Sequence, residues 1–425
     1  MKTGQEKDTP LPFRTLVIIT LDCVRPDFLG CYGADLVRTP NIDLLASKGL
    51  VFEQAITQAP NTWVSHAGLF TGLYPPEHGL RSPYDRLHPD LPVLPTLLAD
   101  YGFKSAAFPG NDLVGSRAGF QQGFDLFFEE YQMVVSPATN PETVNANNRN
   151  PWKDVLPAAD RWLSQTNDPV FLWLHYLDTH HLPDCDIPEY FRFSRDPLWQ
   201  FYEGKISYAD ERCVGAIISL LRRHGRYDDS LFVILSDHGE TLLPGQPPFH
   251  NSDLDEAVLR VPLILSCEKI PWLGQRISQQ VRTIDLVPTL LKLLELHASG
   301  EQKTSSESPE SFSGHLLPLP HPDLKADINK TGREFAYAEN ESLGLACLRS
   351  PEWKFKASQT EEILFYLPAD PQEKNNVIDL HPAIAEDLRS EMAKIRCASP
   401  RYGRLAADRD EQETQRVLRS LGYIE

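Results

Sequence analysis

The strongest constraint on the fold is a set of apolar runs that alternate with helical segments. The run at 15–21, TLVIITL, is continuous and rich in β-branched residues, a pattern typical of a strand buried on both faces of a parallel sheet. Further apolar runs lie at 104–108, 169–177, 231–235 and 261–265. Helical patterns lie at 41–48, 204–223 and 284–296. Strands that alternate with helices predict a mostly parallel sheet flanked by helices.

The chain changes character towards its C-terminus. Residues 298–332 are rich in Ser, Pro and Gly and lack periodicity, as expected of a linker. Short strand candidates follow at 334–338, 344–349, 353–357 and 363–366, and a helix candidate follows at 383–395. We therefore predict a doubly wound α/β domain over residues 1–297, a linker over 298–332 and a small antiparallel α+β subdomain over 333–425.

Composition excludes several classes of partner. The net charge of −18 offers no basic face for phosphate backbones, so we expect no nucleic-acid partner. The seven cysteines are an odd, scattered set, as expected of reduced thiols in the cytoplasm. The N-terminal apolar run is far shorter than a membrane span and lacks a cleavage site, so we expect no signal peptide and no membrane anchor. The sequence leaves the oligomeric state open.

Three predicted strands end next to acidic or histidine side chains, namely Asp22, then His175 and His180, then Asp237 and His238. In open α/β sheets, ligands bind beyond the carboxyl ends of the strands, so these groups can converge. Any one of them alone would be an ordinary strand-end, capping or core residue. Together, two carboxylates and an imidazole form a donor set suited to one divalent metal ion.

The stretch at 59–75, APNTWVSHAGLFTGLYP, places Thr62 just before a predicted short helix at 65–70. The N-terminus of a helix presents free N–H groups and a positive dipole to an anion. Thr62 can be a simple N-cap. Alternatively, a metal-bound Thr62 oxygen can attack phosphorus or sulfur. Spacing alone does not separate these two interpretations.

Several motifs in fixed order carry a resemblance to a known family. They include LDCVRPDFLGCYG, TWVSHAGLFTGLYPPEHGL, LSDHGE, EAVLRVPLIL, TIDLVPTLLKLLEL and the final LRSLGY. Together they resemble the sulfatase family of the alkaline phosphatase superfamily over nearly the whole chain. The resemblance implies an alkaline-phosphatase-like α/β fold with a small C-terminal antiparallel subdomain, and hydrolysis of sulfate or phosphate esters. It also implies Asp22, Asp237 and His238 as metal ligands and Thr62 as the nucleophile.

The chain departs from the family pattern at charged and catalytic positions. The family nucleophile is a cysteine, sometimes a serine, oxidised to formylglycine within CxPSR, whereas oxidation of Thr62 would stop at a ketone. His66 stands at the arginine position, Asn111 at a lysine position and His250 near a later lysine position. Cys23 replaces one acidic residue of the first strand end. These changes remove fixed positive charges and the aldehyde that ordinary sulfatases use.

The departures favour phosphoryl chemistry on a phosphodiester or a phosphonate-like monoanion, because a threonine nucleophile with one metal is similar to phosphoethanolamine transferases of the same superfamily. A single-metal site also resembles phosphonate monoester hydrolases. We expect Thr62 to form a covalent intermediate that water or an acceptor alcohol resolves. His180 or His250 would protonate the leaving group. The expected contacts to the small anionic ester substrate come from His66, Asn111 and the backbone near Trp63.

The expected cofactor is one divalent metal ion, with zinc or manganese favoured over calcium or magnesium because a histidine belongs to the set. Two alternatives stay open. One is a sulfuric ester hydrolase that acts with an unmodified threonine. The other is a family member that binds metal or anions without turnover. Loops at 130–152 and 184–199 would determine leaving-group preference, and they carry no recognisable pocket pattern.

Overall fold

The computed structural model describes residues 12–129, 152–180, 197–243, 249–250, 253–270, 272–295, 311–320, 335–408, 410–420 and 423. Both ends of the predicted linker, and most of the two loops named above, lie outside the described residues. The domain boundaries at 297 and 332 therefore stay predictions.

Three sheets organise the described chain. Their strands, in chain order, are β1 (Thr15–Leu21), β2 (Leu50–Ile56), β3 (Asp85–Arg86), β4 (Lys104–Phe108), β5 (Leu126–Phe127), β6 (Val170–Tyr176), β7 (Ser230–Ser236), β8 (Arg260–Cys267), β9 (Gln275–Arg282), β10 (Ala336–Asn340), β11 (Leu345–Arg349), β12 (Trp353–Ala357), β13 (Glu362–Tyr366) and β14 (Leu405–Ala406). The central sheet has eight strands in the order β5-β4-β6-β1-β7-β8-β2-β9. The antiparallel sheet β10-β11-β12-β13 follows in the C-terminal part, and β14 pairs with β3.

The central sheet is mostly parallel, which confirms the predicted fold class. β1 pairs in parallel with β6 and β7, and β2 pairs in parallel with β9. The exception within this sheet is β8, which runs antiparallel to both β7 and β2. The apolar run at 261–265 therefore is a buried strand, as predicted, and it runs antiparallel to its neighbours within the mostly parallel sheet. A uniformly apolar pattern encodes burial on two faces and carries no information on direction.

Helices cover the central sheet and the C-terminal sheet. In chain order they are α1 (Pro40–Lys48), α2 (Thr62–Thr71), α3 (Pro75–His78), α4 (Leu94–Ala99), α5 (Trp152–Leu163), α6 (Pro197–Ala209), α7 (Ala216–Arg223), α8 (Glu256–Leu259), α9 (Leu286–Glu295), α10 (Pro382–Arg396) and α11 (Glu411–Ser420). A π-helical turn, Asp210–Gly215, joins α6 to α7, so the helix predicted at 204–223 is continuous but not uniformly α-helical.

Two apolar cores explain why hydrophobic residues on both faces of β1 are buried. Leu16 and Ile18 pack into one core, and Val17 and Ile19 pack into the other, because successive strand residues point to opposite faces. All seven residues of β1 are buried. The centre of the sheet is therefore packed on both faces, and the side chains that follow its strands extend from a buried framework.

Among the helices that the structure describes, none combines the length and the apolar character that crossing a bilayer requires. The six cysteines within the described residues are free thiols. The cytoplasmic location stays a prediction.

Candidate active site

The register of β1 against β7 places two carboxylates side by side. Leu21 pairs with Ser236 on the neighbouring parallel strand, so Asp22 and Asp237 leave the same edge of the sheet together. Asp237 is anchored through one oxygen only: its Oδ1 accepts hydrogen bonds from the backbone N–H groups of Cys23, at 3.1 Å, and of the following residue, at 2.9 Å. Its other oxygen, Oδ2, is buried without a hydrogen-bond partner.

The three predicted metal ligands form one compact donor set. The donor atoms of Asp22, Asp237 and His238 all lie within 4.8 Å of one another, and all three residues are buried. Asp22 Oδ1, like Asp237 Oδ2, has no hydrogen-bond partner. His238 Nδ1 lies 2.9 Å from the carbonyl oxygen of Gly239 and donates to it, which leaves the lone pair on Nε2. Unpartnered buried carboxylate oxygens are costly, so this set fits a divalent cation.

His175 orients the Asp22 carboxylate from β6. The backbone N–H of Gly110 donates to His175 Nδ1 at 3.2 Å, so the ring proton is on Nε2, which donates to Asp22 Oδ2 at 3.1 Å. Burial raises the pKa of the Asp22 carboxyl, but His180, His175 and His238 lower it by more, and the net pKa lies well below the usual range. Asp22 is therefore ionised at neutral pH.

Thr62 lies against this donor set. Its Oγ1 is 3.5 Å from Asp22 Oδ2 and 3.4 Å from His238 Nε2, and the residue is fully buried. Thr62 is the first residue of α2, so the helix begins earlier than the predicted 65–70 and Asn61 is its N-cap. Since β2 is antiparallel to β8, which is antiparallel to β7, β2 ends at the same sheet edge as β7. The loop after β2 therefore places Thr62 beside the Asp22, Asp237 and His238 donor set.

Tyr423 contacts Thr62 and received no role in the sequence analysis. Its phenol oxygen lies 2.7 Å from Thr62 Oγ1 and 3.4 Å from His238 Nε2. Its ring packs edge-on against Trp63, with ring centroids 4.9 Å apart. The signal was the final LRSLGY, which contributed to the family resemblance. No local pattern connects that segment to Thr62, because 361 positions separate the two residues.

The two predicted proton donors lie beside Tyr423. The ring centroids of His180 and His250 are 5.0 Å apart, and that of His250 is 4.5 Å from that of His238. Burial lowers the pKa of His180 to about 4, so this imidazole is neutral at neutral pH. Burial also lowers the pKa of His250, but Glu240, whose Oε1 lies 3.2 Å from Nδ1, raises it above its usual value. Glu240 is a further residue that sequence reasoning missed, although it ends the LSDHGE motif.

His66 does not have the geometry expected of an anion contact. Its Nδ1 donates to the Thr62 carbonyl oxygen at 2.8 Å, and its Nε2 accepts from Thr20 Oγ1 at 3.0 Å. Burial lowers its pKa to about 4, with His175 acting in the same direction, so the ring is neutral. Both ring nitrogens are thus used within the protein. The arginine position of the family resemblance is occupied here by a residue that holds the first turn of α2 against β1.

Asn111 and Trp63 each use some of their atoms for contacts within the protein. Asn111 Oδ1 accepts from the backbone N–H of Leu113 at 2.9 Å and caps a short 3₁₀ turn, while its Nδ2 is buried without a partner. The Trp63 side chain is buried and packs on Tyr423, as described above. Its backbone N–H belongs to the first turn of α2, where amides lack intrahelical acceptors. The substrate contacts expected of both residues stay predictions.

Comparison with known proteins settles the family, because the family model described as Sulfatase matches residues 14–296. The chain belongs to the sulfatase family. An ulvan-active sulfatase from Formosa agariphila is 22% identical over 422 residues, covering 89% of this chain and 79% of that protein. Arylsulfatase K from Xenopus laevis is 22% identical, covering 85% and 78%.

Solved structures agree on the fold of this sulfatase-family chain. The phosphonate monoester hydrolase of Agrobacterium radiobacter superimposes with a TM-score of 0.68 at 18% identity, covering 90% of this chain and 95% of that one. A structure described as Ps i-CgsB in complex with k-i-k-neocarrahexaose superimposes with a TM-score of 0.67 at 21% identity, covering 96% and 97%. The resemblance drawn from the motifs is confirmed. The chain is an ester hydrolase of a family whose enzymes use a divalent metal ion.

Proposed function

We propose that this protein cleaves a monoanionic ester, preferably a phosphodiester or a phosphonate monoester, with Thr62 as the nucleophile. One observation carries the proposal. The Thr62 hydroxyl lies within 3.5 Å of both an Asp22 carboxylate oxygen and His238 Nε2, at the first residue of a helix. A hydroxyl in this position combines a nucleophile, a cation-binding set and an anion-binding helix end in one place.

Asp22, Asp237 and His238 would hold the divalent ion, which supplies Lewis-acid chemistry that lowers the pKa of a nearby hydroxyl and polarises an ester oxygen. The chain itself supplies the remaining parts. The amides of the first turn of α2 would stabilise negative charge on the substrate, since the helix dipole places partial positive charge at this end of the helix. His175 would keep Asp22 in place through its hydrogen bond to Oδ2.

The same residues would carry out the covalent step, in which Thr62 becomes bonded to phosphorus. Thr62 Oγ1, after losing its proton to solvent, forms a bond to phosphorus while the bond from phosphorus to the leaving oxygen breaks, and a proton from His180 or His250 neutralises that oxygen. His250 is the better candidate for the general acid because Glu240 favours its protonated form. Water, or an acceptor alcohol, then attacks phosphorus and releases Thr62 with its hydroxyl restored.

The charge of the site favours a monoanion. In the described part of the chain, the ion pairs of Asp22 and Asp237 are with imidazoles. The arginine position of the family pattern holds a neutral His66, and the lysine position holds Asn111. A dianionic ester would add a second negative charge to a buried site with little fixed positive charge to offset it. Phosphodiesters, phosphonate monoesters and sulfate esters all meet this condition.

Phosphorus is favoured over sulfur because of the nucleophile. Thr62 carries a methyl group on Cβ, so it cannot form the hydrated aldehyde that the resemblance associates with sulfatases. Sulfate esters are the competing class, because the relatives named above are a ulvan-active sulfatase and an arylsulfatase. Zinc or manganese remains the proposed ion, and a small anionic ester the proposed partner.

The test is a substrate panel on the purified chain loaded with zinc or manganese. It contains bis(para-nitrophenyl) phosphate, para-nitrophenyl phenylphosphonate and para-nitrophenyl sulfate. We expect the phosphorus esters to give the higher kcat/KM. A best rate on the sulfate would assign the protein to sulfuric esters instead. No turnover on any of them, with metal bound, would indicate a binding protein.

A further inference from the structure

A second group of metal-ligating side chains lies next to Thr62 and shares no residue with the Asp22 set. The donor atoms of Cys23, His180 and His250 lie within 4.8 Å of one another. The three residues are 0%, 1% and 8% exposed, respectively. The rings of both histidines lie near the Tyr423 ring, with centroids 5.9 and 4.7 Å away.

The imidazole nitrogens of this group lack the partners that buried polar atoms normally have. Both ring nitrogens of His180 and the Nε2 of His250 are buried without a hydrogen-bond partner. The Nδ1 of His250 lies 3.2 Å from the carboxylate of Glu240, which is 1% exposed. A carboxylate on the far nitrogen of a histidine is the usual support of a metal-bound imidazole, because it fixes the ring and leaves the near nitrogen to the metal.

Cys23 is held in a conformation that a non-glycine residue rarely adopts. Its φ is 49°, in the left-handed region. Its surroundings impose this conformation: the backbone N–H donates to Asp237 Oδ1 at 3.1 Å, and the carbonyl oxygen accepts from the Tyr202 hydroxyl at 2.7 Å. Strained residues that persist under such constraint concentrate at functional sites. Here the constraint places a thiol beside the unpartnered nitrogens of two imidazoles.

Charge balance also favours a second cation. Asp22, Asp237 and Glu240 are buried carboxylates whose described ion pairs are with histidines. A divalent ion in the Asp22 set offsets two of the three negative charges. A second divalent ion bound by one thiolate adds a net single positive charge, which offsets Glu240.

We propose that Cys23, His180 and His250 bind a second divalent ion of the zinc type. One thiolate and two imidazoles suit zinc and do not suit calcium or magnesium, which take oxygen ligands. Binding releases the proton of the Cys23 thiol, because the thiolate is the ligand. Three protein ligands leave a fourth position for solvent or substrate. In this form His180 and His250 are ligands, so their role as proton donors applies only to protein without the second ion.

Cobalt titration of the metal-free full-length chain tests the proposal without any substrate, so its outcome does not depend on the chemistry of Thr62. We expect two cobalt ions per chain by elemental analysis, with a thiolate-to-cobalt charge-transfer band in the near ultraviolet. Cys23→Ser should remove the band and one ion. Cys397→Ser, at an exposed thiol, should change neither.

Two further variants separate the two sites. Asp237→Asn should lose one ion and keep the charge-transfer band, whereas His180→Gln should lose one ion and weaken or remove the band while Cys23 is still present. A wild-type chain that binds a single ion without the band would overturn the proposal. A band that persists in Cys23→Ser would overturn it as well.

Discussion

The hydroxyl of Thr62 and the phenol of Tyr423 lie 2.7 Å apart at the edge of the central sheet. Burial raises the pKa of Tyr423 well above its usual value, and the nearby carboxylates of Asp22 and Asp237 act in the same direction. The phenol therefore keeps its proton at neutral pH. When Thr62 Oγ1 carries negative charge, the phenol is the hydrogen-bond donor and stabilises that charge.

Removing the phenol hydroxyl of Tyr423 should lower the rate of ester cleavage. For Tyr423→Phe we expect kcat to fall by about 10- to 100-fold, because a hydrogen bond to a charged group contributes about 1.5–3 kcal/mol. KM and Tm should change little, since the ring still packs on Trp63. Steady-state kinetics with a phosphodiester and a thermal melt measure both, and Tyr402→Phe, at an exposed tyrosine, is the matched control. A higher kcat in Tyr423→Phe would show instead that the phenol obstructs the site.

The Thr62 hydroxyl itself should be indispensable. We expect Thr62→Ala to lower kcat by about 1,000-fold or more, because it removes the nucleophile. Thr62→Ser should retain measurable activity, and Thr360→Ala, at an exposed threonine, should behave as wild type. Trapping with a slow substrate, followed by peptide mass analysis, should place the adduct on residue 62. An adduct on another residue, or full activity in Thr62→Ala, contradicts the assignment.

The C-terminal sheet is joined to the region before β8 by a buried ion pair. Lys354 Nζ lies 2.7 Å from Glu373 and 3.4 Å from Glu256, and the lysine side chain is fully buried. We expect Lys354→Met to lower the free energy of unfolding by about 3 kcal/mol, because it leaves the buried Glu373 carboxylate without this cation, while Glu256 keeps its ion pair with Arg349. Lys48→Met removes the surface ion pair between Lys48 and Glu268, whose side chains are 39% and 34% exposed. This change should lower the free energy of unfolding by less than about 1 kcal/mol. Urea unfolding measures both variants, and equal losses of unfolding free energy in Lys354→Met and Lys48→Met would refute this explanation.

Stability should fall in mild acid because of His78. Burial lowers the pKa of His78 to about 3, and Arg81 acts in the same direction. Between its ordinary pKa of 6.5 and about 3, the unfolded chain binds a proton that the folded chain does not. This group therefore destabilises the fold by about 1.4 kcal/mol for each pH unit below 6.5. Above pH 6.5, His78 is neutral in both the folded and the unfolded chain, so it no longer destabilises the fold.

The measurement for His78 compares Tm at several pH values from 7.5 down to about 4.5. His78→Gln, whose side-chain carbonyl can accept the Leu80 N–H hydrogen bond that Nδ1 accepts, should show a shallower loss of Tm than wild type. His381→Gln, at an exposed histidine, should follow the wild-type curve. Parallel curves for wild type and His78→Gln would exclude a neutral buried imidazole as the cause.

The strands and their ends could be predicted because burial leaves a local mark. A run such as 15–21 lacks charged residues and is apolar at most positions because both faces of the strand are covered, and Asp22 stands out at its end. Asp237 and His238 follow β7 in the same way. The antiparallel direction of β8 could not be predicted, since its apolar pattern is the same in either direction.

The sequence by itself determined the family, the sheet-and-helix architecture and the identity of the residues that could hold a cation beside Thr62, because these depend on local hydrophobic patterns and ordered motifs. Only the tertiary structure decided which partners those side chains have. In the folded chain, Tyr423 contacts Thr62, and Glu240 lies next to Nδ1 of His250. Both ring nitrogens of His66 form hydrogen bonds within the protein. Such contacts depend on strand register and on packing between segments far apart in the chain, and neither leaves a local signal in the sequence.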